Sequence, residues 1–279
     1  MFNFLKRLQT IYPPIFFQLI YGLLSADTTF AGLPPFRVVI DPGHGGRDEG
    51  TIYHDGSLRL SEKQITLRLA QEVQKILQKK GYSVILTRSD DRELSLPSRT
   101  ALANRLKANL FISIHMNQSQ GGLAQGVETY IMNHTSDASS RRLARLENSV
   151  IGSAVSQNGG SDVALILKDL RLDSNLSESK RLACLVQNQL VSATSQDSNS
   201  KRRNRGVKQG LFYVLLGADM PSILVEAGFL SHPWDRSLVL SSPGQRLMGE
   251  AIGDAVDTFA QTQRDRSVAI SKLHSCQVK

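Results

Sequence analysis

Residues 38–46 read VVIDPGHGG. Its β-branched residues favour a buried strand, and the proline and glycines that follow end that strand. The resulting loop presents one imidazole, that of His44, among glycines at positions 43, 45 and 46. Glycine permits unusual backbone geometry and the close approach of another group. The stretch therefore predicts a strand that delivers a histidine to a site where space is short.

Two other apolar stretches end at a side chain that can bind a metal or move a proton. LFISIHMN contains His115, and PSILVEAGF contains Glu226. Glu62, in RLSEKQ, begins the first long helical pattern. Because the carboxyl ends of parallel strands meet at one edge of a sheet, we expect these side chains to lie near His44.

The rest of the chain alternates between strand and helix patterns, with no internal repeat. Strands are predicted at 37–40, 82–86, 110–114, 127–132, 211–216 and 222–225, and helices at 62–80, 97–106, 178–194 and 244–259. This order predicts the α/β class: a twisted, largely parallel mixed sheet flanked by helices on both faces. Residues 133–205 are predicted to be a helical insertion before the last catalytic strand. The insertion is expected close to the metal face, the edge of the sheet where His44, His115 and Glu226 are expected to meet.

The composition is that of a globular protein. The chain has 279 residues, 41% of them hydrophobic, which is enough for one substantial core. A formal charge of +8 favours an anionic partner. No base-reading motif accompanies that charge, so nucleic acid is not expected.

The remaining cysteines and histidines give weaker signals. Cys184 and Cys276 cannot form a disulfide framework, and neither belongs to a C-x-x-C pair. Because Cys276 lies in a polar tail, we expect both to stay unpaired, although a single bridge is the open alternative. His54, His134 and His274 have no supporting strand and are expected to be solvated.

The amino terminus has its own pattern. Two basic residues precede an apolar run, residues 11–24, and small residues follow it. This order is typical of a secretory signal peptide, predicted over residues 1–31 with its cleavage site open, and it predicts export to the periplasm or cell envelope. A buried amphipathic helix is the alternative. The catalytic domain is predicted over residues 36–260 and a flexible tail over 261–279.

The histidines and glutamates suggest a chemistry. Two imidazoles, one carboxylate and an open position for water are the ligand set of a catalytic zinc. His44, His115 and one of the two glutamates, Glu62 or Glu226, would supply it, and the remaining glutamate would serve as the general base for the water. Taken singly, each histidine could be an ordinary hydrogen-bonding group, and Glu62 could simply favour a helix start. Glu226 is harder to explain, because an unpaired buried carboxylate is costly.

The chain resembles the zinc-dependent N-acetylmuramoyl-L-alanine amidases of the amidase-3 family, which are bacterial cell-wall hydrolases. The resemblance runs from about Arg37 to Phe259. It rests on DPGHGG, SEKQITLRLA, GYSVILTRSDDRELSLPSRTALAN, LFISIHMN, GVETYIMN, NRGVKQGLFYVL and PSILVEAGFLSH, in the family's order. It implies that His44, Glu62 and His115 bind zinc and that Glu226 is the catalytic carboxylate. One departure is His232, where the family usually has asparagine.

The resemblance also implies a reaction and a partner. The substrate would be peptidoglycan, cut between N-acetylmuramic acid and L-alanine during wall remodelling and daughter-cell separation, by an enzyme expected to be monomeric. Arg88 and Arg99 are expected to hold carboxylates of the stem peptide. The basic run from Lys201 to Arg205 could do the same, or could be a solvated loop.

Other activities can be weighed against this one. A non-catalytic wall-binding module would lack Glu226 or a ligand, and all four residues are present. A zinc peptidase acting on stem peptides would carry His-x-x-Glu, but Arg47 stands three residues after His44. Ser177 and Lys180 form an S-x-x-K pair as in penicillin-binding enzymes, with a chance match as the alternative.

The helix predicted from Ser139 to Val150 raises the question of regulation. Its sequence is similar to an inserted helix that covers the zinc in division-associated amidases of this family. That similarity would direct Glu147 at the open coordination position, and an activator protein would have to displace the helix. The alternative is a surface glutamate that pairs with Arg141 or Arg142.

Overall fold

The computed structural model describes residues 35–149, 172–195 and 204–264, together with Cys276 and Val278. The predicted signal peptide, residues 1–31, lies outside these described residues. None of the helices in the described part combines the length and apolar character that a membrane span requires.

Most elements match the predicted ones to within a few residues. The strands are β1 (Arg37–Pro42), β2 (Ile52–Asp55), β3 (Leu58–Ser61), β4 (Ser83–Leu86), β5 (Leu110–Asn117), β6 (Val127–Met132), β7 (Asn204–Gly210) and β8 (Ser222–Phe229). The helices are α1 (Glu62–Lys79), α2 (Leu96–Arg105), α3 (Ala138–Asn148), α4 (Leu172–Thr194), α5 (Pro233–Leu240) and α6 (Ser242–Arg264).

Six strands form one sheet in the order β4-β1-β5-β8-β6-β7. Every neighbouring pair is parallel except β6 and β8, which run antiparallel. The predicted largely parallel mixed sheet is therefore confirmed. Strands β2 and β3, which were not predicted, form a separate antiparallel hairpin around Gly56. The Asp-Gly pair at its turn is a common hairpin signal.

Two apolar cores lie on opposite faces of the sheet. One contains buried side chains of α1, α4 and α6 with alternate residues of the strands, such as Ile112 and Val225. The other contains side chains of α2, α3 and the segment 211–220 with the strand residues that point to the opposite face, such as Phe111 and Leu224. This alternation is what a strand buried on both faces requires. Helices on both faces are thus confirmed.

The predicted strand at 211–216 is wrong. That segment forms successive turns, in which Leu215 and Leu216 donate backbone hydrogen bonds to Phe212 and Tyr213 at 3.0 and 3.1 Å. Its apolar side chains pack on the sheet face from a loop, and a short apolar run cannot distinguish the two cases. The strand lies just before it, as β7, where an exposed edge tolerates polar residues.

The predicted insertion at 133–205 is only partly correct. Helix α3 does reach the metal face, but α4 does not. Residues such as Leu182, Val186 and Leu190 are fully buried and place α4 in the core beside α6. Helix α4 is therefore a layer of the fold rather than an addition to it, and its length allows it to cover β6 to β8.

Cys184 and Cys276 form a disulfide, so the expectation that they stay unpaired is wrong. Cys276 and Val278 pack against the apolar core, and Val278 forms a bridge with Val207 at the sheet edge. The polar composition around Cys276 concealed this docking. The expected flexible tail is accordingly wrong at two points: α6 extends to Arg264, and Cys276 is tied to α4.

Candidate metal centre

His44 follows β1 in a loop that two buried arginines hold in place. Arg99 donates to the carbonyls of His44 and Pro42 at 3.0 and 2.9 Å. Arg88 donates to the carbonyls of Pro42 and Gly43 at 3.0 and 2.7 Å. The backbone of His44 is left-handed, with φ of 61°, and such strain persists only where surrounding contacts enforce it. The arginines supply those contacts.

The expectation that Arg88 and Arg99 bind substrate carboxylates is wrong. Their exposed fractions are 0% and 2%, and Arg99 pairs with the buried carboxylate of Asp41 at 2.8 Å. Burial alone would raise the pKa of Asp41, but the charge of Arg99 and the hydrogen bonds it receives lower that pKa overall. A buried guanidinium requires such partners, so both side chains serve the loop.

Glu62 is the first residue of α1 and is fully buried. Its Oε1 accepts from the backbone N–H of Met116 at 2.8 Å, and its Oε2 accepts from that of Thr51 at 2.7 Å. Burial alone would raise the pKa of Glu62, but the neighbouring His44 and His115 hold it far below its usual range. The carboxylate is therefore fixed and ionised.

The predicted ligands meet at one point. Nε2 of His44 and Nδ1 of His115 each lie 3.1 Å from Oε1 of Glu62. Glu147 of α3 joins them, with Oε2 at 3.4 Å from His44 Nε2 and 2.9 Å from His115 Nδ1. Ligand atoms of the four residues all lie within 4.8 Å of one another. Glu147 thus faces the histidines. The alternative was a surface pairing with Arg141 or Arg142, and the structure does not have it.

The donor set fits a zinc ion. Imidazole nitrogens and carboxylate oxygens are common zinc ligands. Nε2 of His44 and Oε2 of Glu147 are buried, and neither makes a hydrogen bond of good geometry with a described residue. Nδ1 of His44 contacts Asp48 at 2.8 Å, which turns Nε2 towards the group. Asp48 was not predicted from the sequence, although its position four residues after His44 in the same loop was a signal.

Two glycines make room for these ligands. A Cβ on Gly43 would lie 2.5 Å from the ring of His115. A Cβ on Gly50 would lie 2.5 Å from the ring of His44 and 2.6 Å from Oε2 of Glu62. The loop glycine at 43 was expected to allow close approach, and Gly50 has the same function from outside the predicted motif.

Glu226 of β8 stands beside His115 in the strand register and is fully buried. Neither of its carboxylate oxygens has a hydrogen-bond partner among the described residues. Burial, and then the charge of Glu147, raises the pKa of Glu226 well above its usual value. A carboxyl group in such surroundings is suited to exchanging a proton with a reacting group.

Glu128 of β6, which was not predicted as a site residue, lies directly opposite Glu226. Four side chains donate to its buried carboxylate: Arg205, Lys208, Tyr130 and Asn117. Burial alone would raise the pKa of Glu128, but the cationic donors, Lys208 before Arg205, lower it. The signal for Glu128 was a glutamate inside the apolar stretch GVETYIM.

A cleft of about 610 Å³ adjoins the ligand group. Its walls include His44, Asp48, Thr51, Asn117, Arg142 and Glu147. Arg142 is the cationic side chain of this wall, and it comes from the same helix as Glu147. The cleft reaches His44 at one edge of the ligand group.

Several candidate residues lie elsewhere. His54 and His134 are exposed, as expected, and His274 is outside the described residues. Ser177 and Lys180 are both exposed on α4. A nucleophilic serine needs a neighbouring base held in place, so their surroundings do not favour a penicillin-binding activity.

The fold and the site together define a class. A mostly parallel sheet whose strand ends bring two imidazoles together with two helix-borne carboxylates, beside a buried glutamate, is typical of hydrolases with an α/β fold and a metal centre.

Within that class, the chain belongs to the Amidase_3 family of N-acetylmuramoyl-L-alanine amidases, whose family model matches residues 38–258. It is 33% identical over 229 residues to N-acetylmuramoyl-L-alanine amidase AmiC of Neisseria meningitidis, covering 81% of this chain and 53% of that relative. It is 30% identical over 226 residues to AmiA of Escherichia coli, covering 80% and 75%. A solved amidase structure from Clostridium difficile 630 matches with a TM-score of 0.61 and 29% identity, over 82% of this chain and 98% of that one. The chain thus spans about half the length of the Neisseria relative.

Proposed function

We propose that this chain hydrolyses the amide bond between the lactyl group of N-acetylmuramic acid and L-alanine in peptidoglycan. The observation that carries the proposal is the buried group of His44, Glu62 and His115 with Glu226 beside it, in a chain of the Amidase_3 family. Peptidoglycan is an anionic polymer, which agrees with the chain's formal charge of +8.

Zinc would be held by His44, Glu62 and His115. When bound, it would polarise an amide carbonyl and lower the pKa of a water molecule. Glu62 fixes the ligand geometry, because its two oxygens are oriented by backbone N–H groups of two different segments. Asp48 orients the ring of His44, as the carboxylate partners of metal-binding histidines commonly do.

Glu226 would move the proton. As the general base it takes a proton from the attacking water, whose oxygen forms a bond to the lactyl carbonyl carbon. It then returns that proton to the nitrogen of L-alanine as the C–N bond breaks. The products are a lactyl carboxylate on the glycan and a peptide with a free amino end. Its raised pKa suits both directions of the transfer.

Glu147 would inhibit the enzyme. Its carboxylate stands among the ligand atoms, where it would take the coordination position that water needs. Helix α3 also forms a wall of the cleft, so the same element that supplies the carboxylate narrows the entrance. An activator protein would bind the form in which α3 is displaced better than the form seen here.

The location would be the bacterial cell envelope. The Cys184–Cys276 disulfide suits an oxidising compartment such as the periplasm. Peptidoglycan lies outside the cytoplasmic membrane, and cutting its cross-linked stems would serve wall remodelling and the separation of daughter cells.

The test is a wall-degradation assay with the metal as a variable. Purified dye-labelled sacculi are incubated with the chain as prepared, after chelation, and after chelation followed by added zinc. Release of dye that is lost on chelation and restored by zinc supports the proposal. Equal release in all three conditions, or none in the Glu147→Ala variant with zinc, would refute it.

A further inference from the structure

A β-bulge in β7 places one arginine on the face of the sheet that holds Glu226. Two β7 residues, Arg205 and Gly206, stand opposite one β6 residue, Glu128. Gly206 has φ of 86°, a conformation that glycine adopts easily. Val207 is fully buried in the core beside α4, and regular alternation would send Arg205 to that same side. The bulge turns Arg205 to the face that holds Glu226, which is a known use of bulges near active sites.

Two contacts fix the plane of the Arg205 guanidinium. Its Nε donates to Glu128 Oε1, and its central carbon lies 5.0 Å over the ring of Phe229. The side chain is 34% exposed. In the part of the chain that the structure describes, its two terminal amino groups make no hydrogen bond. They form the fork with which arginine binds a carboxylate by two parallel hydrogen bonds.

The charges around Arg205 leave one positive charge over. Glu128 faces two cations, Arg205 and Lys208, the latter at 3.0 Å. Its second oxygen already accepts from Tyr130 at 2.5 Å and Asn117 at 3.3 Å. Lys208 is the more buried cation, with 12% exposure, so the surplus charge is presented by Arg205.

We propose that Arg205 is a specificity-determining residue that binds a free carboxylate in the peptide part of the substrate. The proposal rests on the proposed amidase function and names the part of the substrate that is recognised beyond the cut bond. The ligand is a peptide acid. Glu128 is the positioning residue that orients Arg205.

The strand geometry indicates which carboxylate Arg205 would bind. Strand β7 lies two places from β8, and strands are about 4.8 Å apart, so the backbones of Arg205 and Glu226 are about 10 Å apart across the sheet. An extended peptide advances about 3.5 Å per residue. The carboxylate that reaches Arg205 therefore belongs to the second or third residue after the cut bond.

The experiment compares two substrates on matched variants. The substrates are N-acetylmuramoyl tripeptides in which the free carboxyl groups of the second and third residues are either left free or amidated. They are given to the zinc-loaded full chain, in the wild type and in a Glu147→Ala background. Release of the free amine gives kcat/KM. We expect the wild type to prefer the free acid by about tenfold, as a hydrogen-bonded ion pair allows. Arg205→Gln should abolish this preference by lowering kcat/KM for the acid alone.

Two variants separate recognition from folding. Arg205→Lys keeps the charge without the fork and should retain only part of the preference. Arg105→Gln removes an exposed arginine at the far end of α2 and should leave the preference intact. Calorimetric titration of the product tripeptide provides a readout without turnover, and Arg205→Gln should weaken its binding about tenfold.

The outcomes distinguish this proposal from the proposed function. Equal kcat/KM for acid and amide in the wild type overturns the role of Arg205 while the amidase function stands. An Arg205→Gln variant that loses activity equally on both substrates has the same consequence, because it indicates a structural role. If no muramoyl peptide is cut at all, the amidase function fails, and unchanged tripeptide binding in Arg205→Gln then overturns the Arg205 proposal separately.

Discussion

The carboxylate of Glu147 lies 2.9 Å from Nδ1 of His115, the same atom that lies 3.1 Å from Glu62. A residue of α3 therefore lies as close to His115 as Glu62 does, and it belongs to the ligand group. Burial alone would raise the pKa of Glu147, but His115 lowers it to about 2. The neighbouring histidines thus favour the ionised carboxylate.

Removing this carboxylate should activate the enzyme. We expect Glu147→Ala to raise the basal activity by about tenfold or more, since a hydrogen bond to a charged group is worth about 1.5–3 kcal/mol. Dye release from sacculi measures the effect, with zinc content as a second readout that should not fall. Glu250→Ala, which removes an exposed glutamate of α6, is the control. Unchanged basal activity in Glu147→Ala would show that α3 does not restrain the site.

Glu226 and His44 should fail in different ways. Glu226→Gln preserves shape but cannot accept the proton, so we expect activity to fall by about 10²-fold or more while zinc remains bound. His44→Ala should lose both zinc and activity. Metal analysis after gel filtration, together with the sacculus assay, separates the two. Near-normal turnover by Glu226→Gln would mean that another group is the base.

Zinc uptake should release protons. In the metal-free chain, burial alone would lower the pKa of His115, but Glu147 and Glu62 raise it to about 10. The pKa of His44 is likewise raised, by Glu62 and Asp48 against the effect of burial. Both shifts favour the protonated ring in the metal-free chain, and zinc binds only neutral imidazole. We expect protons to be released when zinc binds at pH 7.

Calorimetry in buffers of different ionisation enthalpy counts these protons. The sign of the stability effect follows from the same shifts. Raised histidine pKa values stabilise the metal-free fold fully below the unfolded value of about 6.5, and this contribution is lost as pH rises through the folded values. Zinc affinity should change in the opposite direction and increase with pH. Glu147→Ala should release fewer protons. A proton count of zero in the wild type would mean that the rings are already neutral.

The disulfide should contribute to stability. Cys184 and Cys276 are 92 residues apart, and closing a loop of that size restricts the unfolded chain strongly. We expect Cys184→Ser to lower the free energy of unfolding by about 2–5 kcal/mol. Denaturant titration with and without a reducing agent measures it. Reduction should destabilise the wild type and leave Cys184→Ser unchanged. Equal denaturation midpoints for the wild type and Cys184→Ser without reducing agent would show that the disulfide does not stabilise the fold.

The sequence was most informative where one residue of distinct chemistry follows an apolar strand. His44, His115 and Glu226 were predicted to meet because the carboxyl ends of neighbouring strands share an edge, and the structure brings them together. Glu62 could be added because a helix start places it at that edge. These are local signals joined by one general property of α/β sheets.

The parts that could not be predicted depend on contacts between distant segments. Nothing in the sequence around Arg88 and Arg99 distinguishes them from surface arginines. Only the fold shows that they are buried behind the His44 loop. The apolar run at 211–216 packs equally well as a loop or as a strand. Cys276 pairs with a helix 92 residues away, and no spacing within either segment indicates that pairing.

The amidase activity is tested by mass analysis of the products formed from purified muropeptides by the zinc-loaded chain, with Glu226→Gln as the control. Cleavage at the proposed bond gives glycan fragments that carry a free lactyl carboxylate and peptides that begin with L-alanine, and the summed mass of the two products exceeds that of the muropeptide by one water. We expect these two products from the wild type or its Glu147→Ala variant, and intact muropeptides from Glu226→Gln. Products shortened within the stem peptide, with L-alanine still attached to muramic acid, would rule out the amidase activity.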